Sequence, residues 1–245
     1  MLKFIIFFSV FILLATGAIY FVFHSHFLKV AAVDIVGSLR AEEIKEVLID
    51  NLLKTSKIRS WLGPENLLFW PSKISNIPAS LYWLSGLSLE KNWQEKIITL
   101  NAKEREPWLL WCLTDSGNCY WLDEQGIVFS SAPEAEGFLV SKVSEQGDRR
   151  QLSLGQLFYD NSQFAENTLE IIKQIKNSSL AVSRFSIENP NLEELTVETT
   201  GPKLYFSLRF LPQNFDKVLN DLINRPNFRK LEYIDFRVEN RIYYK

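Results

Sequence analysis

Residues 29–52, KVAAVDIVGSLRAEEIKEVLIDNL, change their hydrophobic period once, and that change decides the fold class. From Lys29 to Val36 the apolar side chains alternate: Val30, Ala32 or Val33, and Ile35. A period of two is the signature of a strand, here running away from the segment before it. Gly37-Ser38 breaks the run, and a serine hydroxyl at that point is suited to cap a helix. Glu42 and Glu43 follow in what would be the first turn, where the helix dipole favours acid. Ile44, Val47, Leu48 and Leu52 then repeat at helical spacing. Strand passing into amphipathic helix points to an α+β architecture.

Toward the N-terminus, Phe4 to Phe23 are twenty consecutive residues without a charge. As a helix they would extend about 30 Å, the thickness of a bilayer's hydrocarbon core. A cleaved signal peptide has a shorter apolar region, followed by small residues. Here Ala15, Gly17 and Ala18 lie inside the run, with five apolar or aromatic residues behind them. The reading is an uncleaved transmembrane helix over residues 4–23 that places the chain in a lipid bilayer, with 1–3 as a short cytoplasmic start. Lys3 on one side and Lys29 and Arg40 on the other give little positive-inside bias. Long domains translocate largely regardless of charge, so the expectation is N-terminus cytoplasmic and bulk extracytoplasmic. His24 and His26 read as an interfacial polar collar in preference to a metal or pH site.

Toward the C-terminus, 54–73 reads as a loop with a turn at Gly63-Pro64. A second helix is expected from about Ser72 to Trp83, with Ile74, Ile77, Leu81 and Leu84 as its stripe and Pro78 near its start or at a kink. LSLEK at 87–91 and EKIITLNAKER at 95–105 alternate as strands around a turn at Asn92-Trp93. The order strand, helix, helix, strand, strand makes residues 29–105 a small α+β domain, and Pro107 opens a strand-rich domain over 107–245. There, strands are expected in 108–131 around the turn 123–126, again in 136–144, and over Val182–Glu188, Glu194–Thr199 and Lys203–Phe210. Helices are expected over Phe164–Asn177 and Asn214–Arg225. The resulting picture is a mixed sheet with helices packed on one face.

Cys112 and Cys119 flank TDSGN, a string of turn formers between the apolar runs WLLW and YWL. If Leu113 faces Asn118 in a hairpin, the two cysteines oppose each other at about 4.5–5.5 Å between Cβ atoms, near what a disulfide needs. The other reading is a pair of free, buried thiols. A disulfide would put the domain in an oxidising, extracytoplasmic compartment.

Net charge is −2, so there is no electrostatic footprint for nucleic acid. Both histidines precede residue 27, which leaves the rest of the chain without a Ser–His–Asp or Cys–His arrangement. Asp123-Glu124 and Glu193-Glu194 read as solvated surface rather than acid/base pairs. No catalytic residue, metal site or cofactor is expected.

The last stretch, LEYIDFRVENRIYYK at 231–245, alternates to its end. Ile234, Phe236, Val238, Ile242 and Tyr244 fall on one face; Tyr233, Asp235, Arg237, Glu239, Arg241 and Tyr243 fall on the other. Glu239-Asn240 admits two readings, continuous strand or a tight turn between two short strands. Either way the expectation is an uncovered edge strand, offering N–H and C=O groups to a partner by β-augmentation. Tyr233, Tyr243 and Tyr244 would be anchors beside Val238, and Arg237 and Arg241 would pair partner acids.

Several stretches in order resemble the FtsQ/DivIB bacterial cell-division proteins. VAAVDIVGSLRAEEIKEVL at 30–48 is similar to the opening of their POTRA module, and NLLF at 66–69 to the segment before its second helix. Glu104, Arg105 and Pro107 resemble the module's exit; Asp123 and Gly126 resemble an Asp-x-x-Gly turn; Tyr233, Asp235 and Arg237 resemble the closing strand. The resemblance implies a POTRA-like βααββ module followed by a β-rich domain, and a non-enzymatic bitopic scaffold of the division septum. It further implies that the last strands bind small coiled-coil subunits of the FtsB and FtsL kind, and that the POTRA-like module contacts other divisome proteins. The alternatives are a membrane-anchored extracytoplasmic cell-wall hydrolase and an unrelated POTRA-containing adaptor.

Overall fold

The computed structural model describes residues 2–133, 141–147 and 151–245. Helix α1 (Leu2–His24) opens the chain, and over Ile6–Phe23 it is long and apolar enough to cross a membrane. The chain divides into two compact units, Met1–Glu104 and Arg105–Lys245.

In the first unit, α1 is followed by β1 (Ala32–Val36), α2 (Ala41–Thr55), the short α3 (Lys57–Leu62), a 3-10 turn at Ala79–Leu81, β2 (Leu84–Asn92) and β3 (Ile97–Glu104). The three strands form a sheet of order β1-β3-β2, with β1 parallel and β2 antiparallel to β3. β1 starts three residues later than the alternation suggests, because the amides of Val30 and Ala31 donate to the Glu65 and Lys96 carbonyls. Ser38 does not cap α2. Its hydroxyl accepts from the Arg40 amide and donates to Glu104 across the unit. Gly37, at φ +93°, passes so close to the Ala102 carbonyl that any side chain there would collide with it.

The helix expected over 72–83 does not form. Pro71 precedes that stretch and Pro78 interrupts it, and a prolyl ring offers no amide to a helix ladder, so only the 3-10 turn after Pro78 appears. The helix lies earlier, in the expected loop: the Ser56 hydroxyl accepts from the Arg59 amide to start α3, and Gly63 at φ +73° ends it. Part of the rest of that loop is core. Leu67, Phe69 and Trp70 pack with Ile44, Leu48 and Leu52 of α2 and with Ile98 and Leu100 of β3. The Trp70 indole donates to the Pro64 carbonyl (3.0 Å), and the Lys91 ammonium donates to the carbonyls of Leu67 and Trp70.

The second unit holds β4 (Leu109–Leu113), β5 (Asn118–Leu122), β6 (Val128–Ala132), β7 (Lys142–Glu145), α4 (Ser162–Asn177), β8 (Val182–Ile187), β9 (Glu194–Thr199), β10 (Lys203–Ser207), α5 (Phe215–Ile223), β11 (Tyr233–Val238) and β12 (Arg241–Tyr244). Among the described residues they make one mixed nine-stranded sheet, β12-β11-β10-β9-β8-β7-β4-β5-β6. The parallel pairs β7–β8 and β10–β11 are joined through α4 and α5, as parallel pairing needs a long crossover. Of the strand expected over 136–144, residues 136–140 lie outside the described residues.

Register in the first hairpin follows the turn chemistry. Leu113 faces Asn118, Cys112 faces Cys119, and the two cysteines form a disulfide. All five residues of β4 are buried. Leu109, Trp111 and Leu113 join the main core with the buried sides of both helices; Leu110 and Cys112 meet Cys119 and Trp121 in a separate cluster. The Trp111 indole donates to the buried Glu145 carboxylate at 2.6 Å.

Asp123 is not the solvated residue the sequence suggests. It is buried, accepts the amides of Gln125 (3.0 Å) and Ile127 (2.9 Å), and pairs with Arg105. A tight turn must satisfy its own amides, and the Asp side chain does so here. Gly126, at φ +79°, closes the turn against Phe158 and Leu169, where a Cβ would meet both at 2.9 Å.

Candidate functional site

The closing hairpin resolves into two strands around a turn at Glu239-Asn240, with Asn240 in the left-handed region at φ +59°. β11 is not an edge. It lies between β10, parallel, and β12, antiparallel. The expected edge over 231–245 therefore shrinks to β12, which among the described residues has β11 on one side only. Tyr233, Arg237 and Val238 sit on the interior strand; Arg241, Tyr243 and Tyr244 sit on the edge.

Arg237 is already engaged within the molecule. Its Nε and Nη2 donate to the Asp235 carboxylate (2.9 and 2.6 Å), its Nη1 donates to Glu194 (2.9 Å), and its guanidinium lies 5.0 Å over the Tyr205 ring. The hydrogen bonds to Asp235 raise the guanidinium above its ordinary value, against partial burial. Burial pushes the Asp235 carboxyl up, but the hydrogen bonds and charge of Arg237 together hold it below the usual carboxylate range. The expectation that Arg237 serves partner acids is corrected accordingly: β10 and β9 bring Tyr205 and Glu194 to it, a juxtaposition set by strand order.

The edge strand is different. Ile234 faces Tyr244, Asp235 faces Tyr243, and a register shift then sets Val238 opposite Arg241. Val238, beyond the shift, is 44% exposed rather than core. Tyr244 shares the face of Ile234 yet is 53% exposed. The Lys245 amide donates to Tyr233 and its carbonyl accepts from Glu232. Backbone groups alternate sides along a strand, so those of Tyr244 and Ile242 point away from β11. Arg241 and Tyr243, two residues apart on the other face, interact; their hydrogen bond raises the Arg241 guanidinium.

Beside this edge lies a cleft of about 360 Å³, lined by Phe210, Pro212, Phe215 and Val218 from the β10–α5 passage and α5, by Val238 and Ile242 from the hairpin, and by the polar Gln213, Asn214, Asn240 and Arg241. Sequence reasoning passed over this wall. The run FLPQNF at 210–215, apolar through a strand-to-helix connection, is the signal that could have found it.

In the first unit, the side chain of His24 lies outside the described residues. Among the described residues, no group of three or more His, Cys, Asp or Glu side chains comes together as a metal site would need.

Compared with models of known protein families, the chain matches none. Compared with curated proteins, it matches none either.

Proposed function

We propose that this chain is a single-pass membrane scaffold of the FtsQ/DivIB kind, non-enzymatic, which captures a small coiled-coil partner of the FtsB/FtsL type by strand addition to β12. One observation carries the reading. β12 is a four-residue strand with, among the described residues, an open side, outward-pointing backbone groups at Ile242 and Tyr244, and beside it a cleft of mixed apolar and polar lining. A partner strand supplies main-chain hydrogen bonds for register, while one of its apolar side chains enters the cleft. Tyr243, Tyr244 and Arg241 contribute the exposed contact surface; Tyr233 and Arg237 brace the strand behind it.

Support for a POTRA-like first unit comes from its strand, helix, helix, strand, strand order and its β1-β3-β2 sheet. Support for helices on one face of the large sheet comes from the buried sides of α4 and α5, which feed one shared core cluster. The disulfide supports an extracytoplasmic second unit, since such bonds persist in oxidising compartments. In this reading the N-terminus is cytoplasmic, and the protein works at the division septum, with the first unit contacting other divisome proteins.

The test is a photo-crosslinking residue at Tyr243 in the full chain in dividing cells. Crosslinks to a small single-pass coiled-coil protein are expected, and they should vanish with Tyr244→Pro, which removes an outward amide but no β11–β12 ladder donor. Crosslinks that survive Tyr244→Pro would overturn strand addition. Turnover of peptidoglycan by the purified chain would overturn the non-enzymatic reading.

A further inference from the structure

The first unit exposes seven large apolar side chains beyond α1: Val36 and Leu39 at the far end of β1, and Phe27, Ile58, Leu68, Trp61 and Trp93 elsewhere. The second group is not scattered. Each member sits on a segment tied to the end of α1. The Asn66 side-chain amide donates to the Val22 carbonyl at 2.8 Å, and the Leu67 amide donates to Leu28 at 2.8 Å. Leu62, the last residue of α3, lines the same hollow as Phe23 and Leu28. The β2–β3 turn is held there too: the Lys96 ammonium donates to the His26 carbonyl (3.1 Å) and lies 5.9 Å over the Phe27 ring.

These contacts set the level of the segments against a bilayer. If α1 spans, a twenty-residue apolar run of about 30 Å ends at Phe23, at the boundary of the hydrocarbon core. The headgroup layer on each side is on the order of 5–7 Å thick. Groups bonded to Val22 or sharing a hollow with Phe23 fall in that layer. Ile58 (70% exposed) and Trp61 (75% exposed) lie three residues apart on α3 and so share a helix face. Trp61, Trp93 and Phe27 are amphipathic or aromatic groups of the type that settles at a membrane interface. Cations are interleaved with them: Lys29, Lys57, Arg59 and Lys96, against the carboxylates Glu65 and Glu95. Four positive charges less two negative leaves a surplus of two, suited to anionic headgroups.

We infer that α3 and the β2–β3 turn form an interfacial foot, in which Ile58, Trp61, Trp93 and Phe27 enter the headgroup layer of the bilayer that α1 crosses and hold the first unit down on the membrane surface. The inference rests on the transmembrane reading of α1 and is independent of strand capture at β12. The foot explains an arrangement that soluble packing does not: large aromatics left exposed on three separate segments that converge on one place.

The experiment uses the full chain in vesicles of phosphatidylcholine containing a minority of phosphatidylglycerol. The two native cysteines are paired, so single thiols can be placed by Trp61→Cys, Trp93→Cys, Leu39→Cys and Leu13→Cys and labelled with an environment-sensitive fluorophore. Leu39, fully exposed at the end of β1, lies about 16 Å farther along the sheet and is the aqueous control. Labels at 61 and 93 should be quenched by lipid bearing a nitroxide near its headgroup, and iodide should quench them roughly threefold less than the label at 39. A label at 61 that iodide reaches as readily as at 39 overturns the foot. So does one shielded from iodide but untouched by nitroxide lipid, which would indicate a protein contact. If the label at 13 escapes a nitroxide deep in the acyl chains, the transmembrane reading fails and the foot with it; quenching at 13 without quenching at 61 overturns the foot alone.

Discussion

Two antiparallel hairpins of the same sheet, β4–β5 and β11–β12, make a useful contrast. In the first, every residue of β4 is buried, β7 covers its other side, and a disulfide ties the strands together. In the second, β11 is interior but β12 has one half-buried residue and three exposed ones, no crosslink, and a register shift before its turn. The clamped centre is a continuous apolar run, LLWCL, and the open margin an alternating one, as strands buried on both faces and on one face should be. Which of the two alternating strands is the margin is decided by what lies on its far side.

The contrast can be broken first at the centre. Trp111→Ala removes a fully buried indole and its bond to Glu145, and should cost about 3–5 kcal/mol in denaturant unfolding. A loss below about 1 kcal/mol would mean that β4 is not the clamped strand of this sheet. Arg105→Ala belongs to the same class. It leaves the Asp123 carboxylate buried without its ion-pair partner, and a loss of about 3–5 kcal/mol is expected by the same measurement.

Replacing both cysteines by serine opens a short loop and should cost about 2–3 kcal/mol, read as a lowered melting temperature that reducing agent does not lower further. If wild type and variant melt together under non-reducing conditions, the staple adds nothing to register that turn and burial have not already set.

Smaller effects are expected at the margin. Arg237→Ala should cost about 1 kcal/mol, because the guanidinium and Glu194 are each about a third exposed and solvent screens their pair, while Asp235 is the more buried partner. That contribution has a pH signature. The Asp235 carboxyl is held below its ordinary value, so its stabilisation is complete above the unfolded-state pKa near 4 and is lost as pH falls through the lower folded value. Wild type and Arg237→Ala should therefore converge in stability in acid and differ at neutral pH. Tyr244→Pro should change stability least, by under about 1 kcal/mol, while abolishing strand capture. A large loss of stability there would show that β12 is part of the clamped sheet after all.

Much of the fold was legible because its determinants are local. The switch of period at Gly37, the stripe Ile44, Leu48 and Leu52, the turn formers between Cys112 and Cys119, and the charge-free run before His24 each lie within a few turns of chain. The misread stretch at 57–83 shows the limit. α3 is too short to display a period, and the apolar residues 67–70 look like a loop until α2 and β3 supply the surfaces they pack on. The site was legible in part for the same reason: the alternation of 231–245 announced two faces, and Asn240 allowed the turn.

The sequence by itself determined that the chain carries an apolar helix, that residues 112 and 119 can meet, and that 231–245 is strand-forming with two distinct faces. It could do so because neighbours along the chain dictate period, turn and register. Only the tertiary structure decided that β12 rather than β11 is the margin, and that Arg237 is spoken for by Asp235, Glu194 and Tyr205. Those outcomes depend on β11 pairing in parallel with β10, some thirty residues earlier, through the crossover of α5. Such pairing is chosen by the burial of Phe206, Phe215 and Phe236 against one another, a contact that local pattern does not encode.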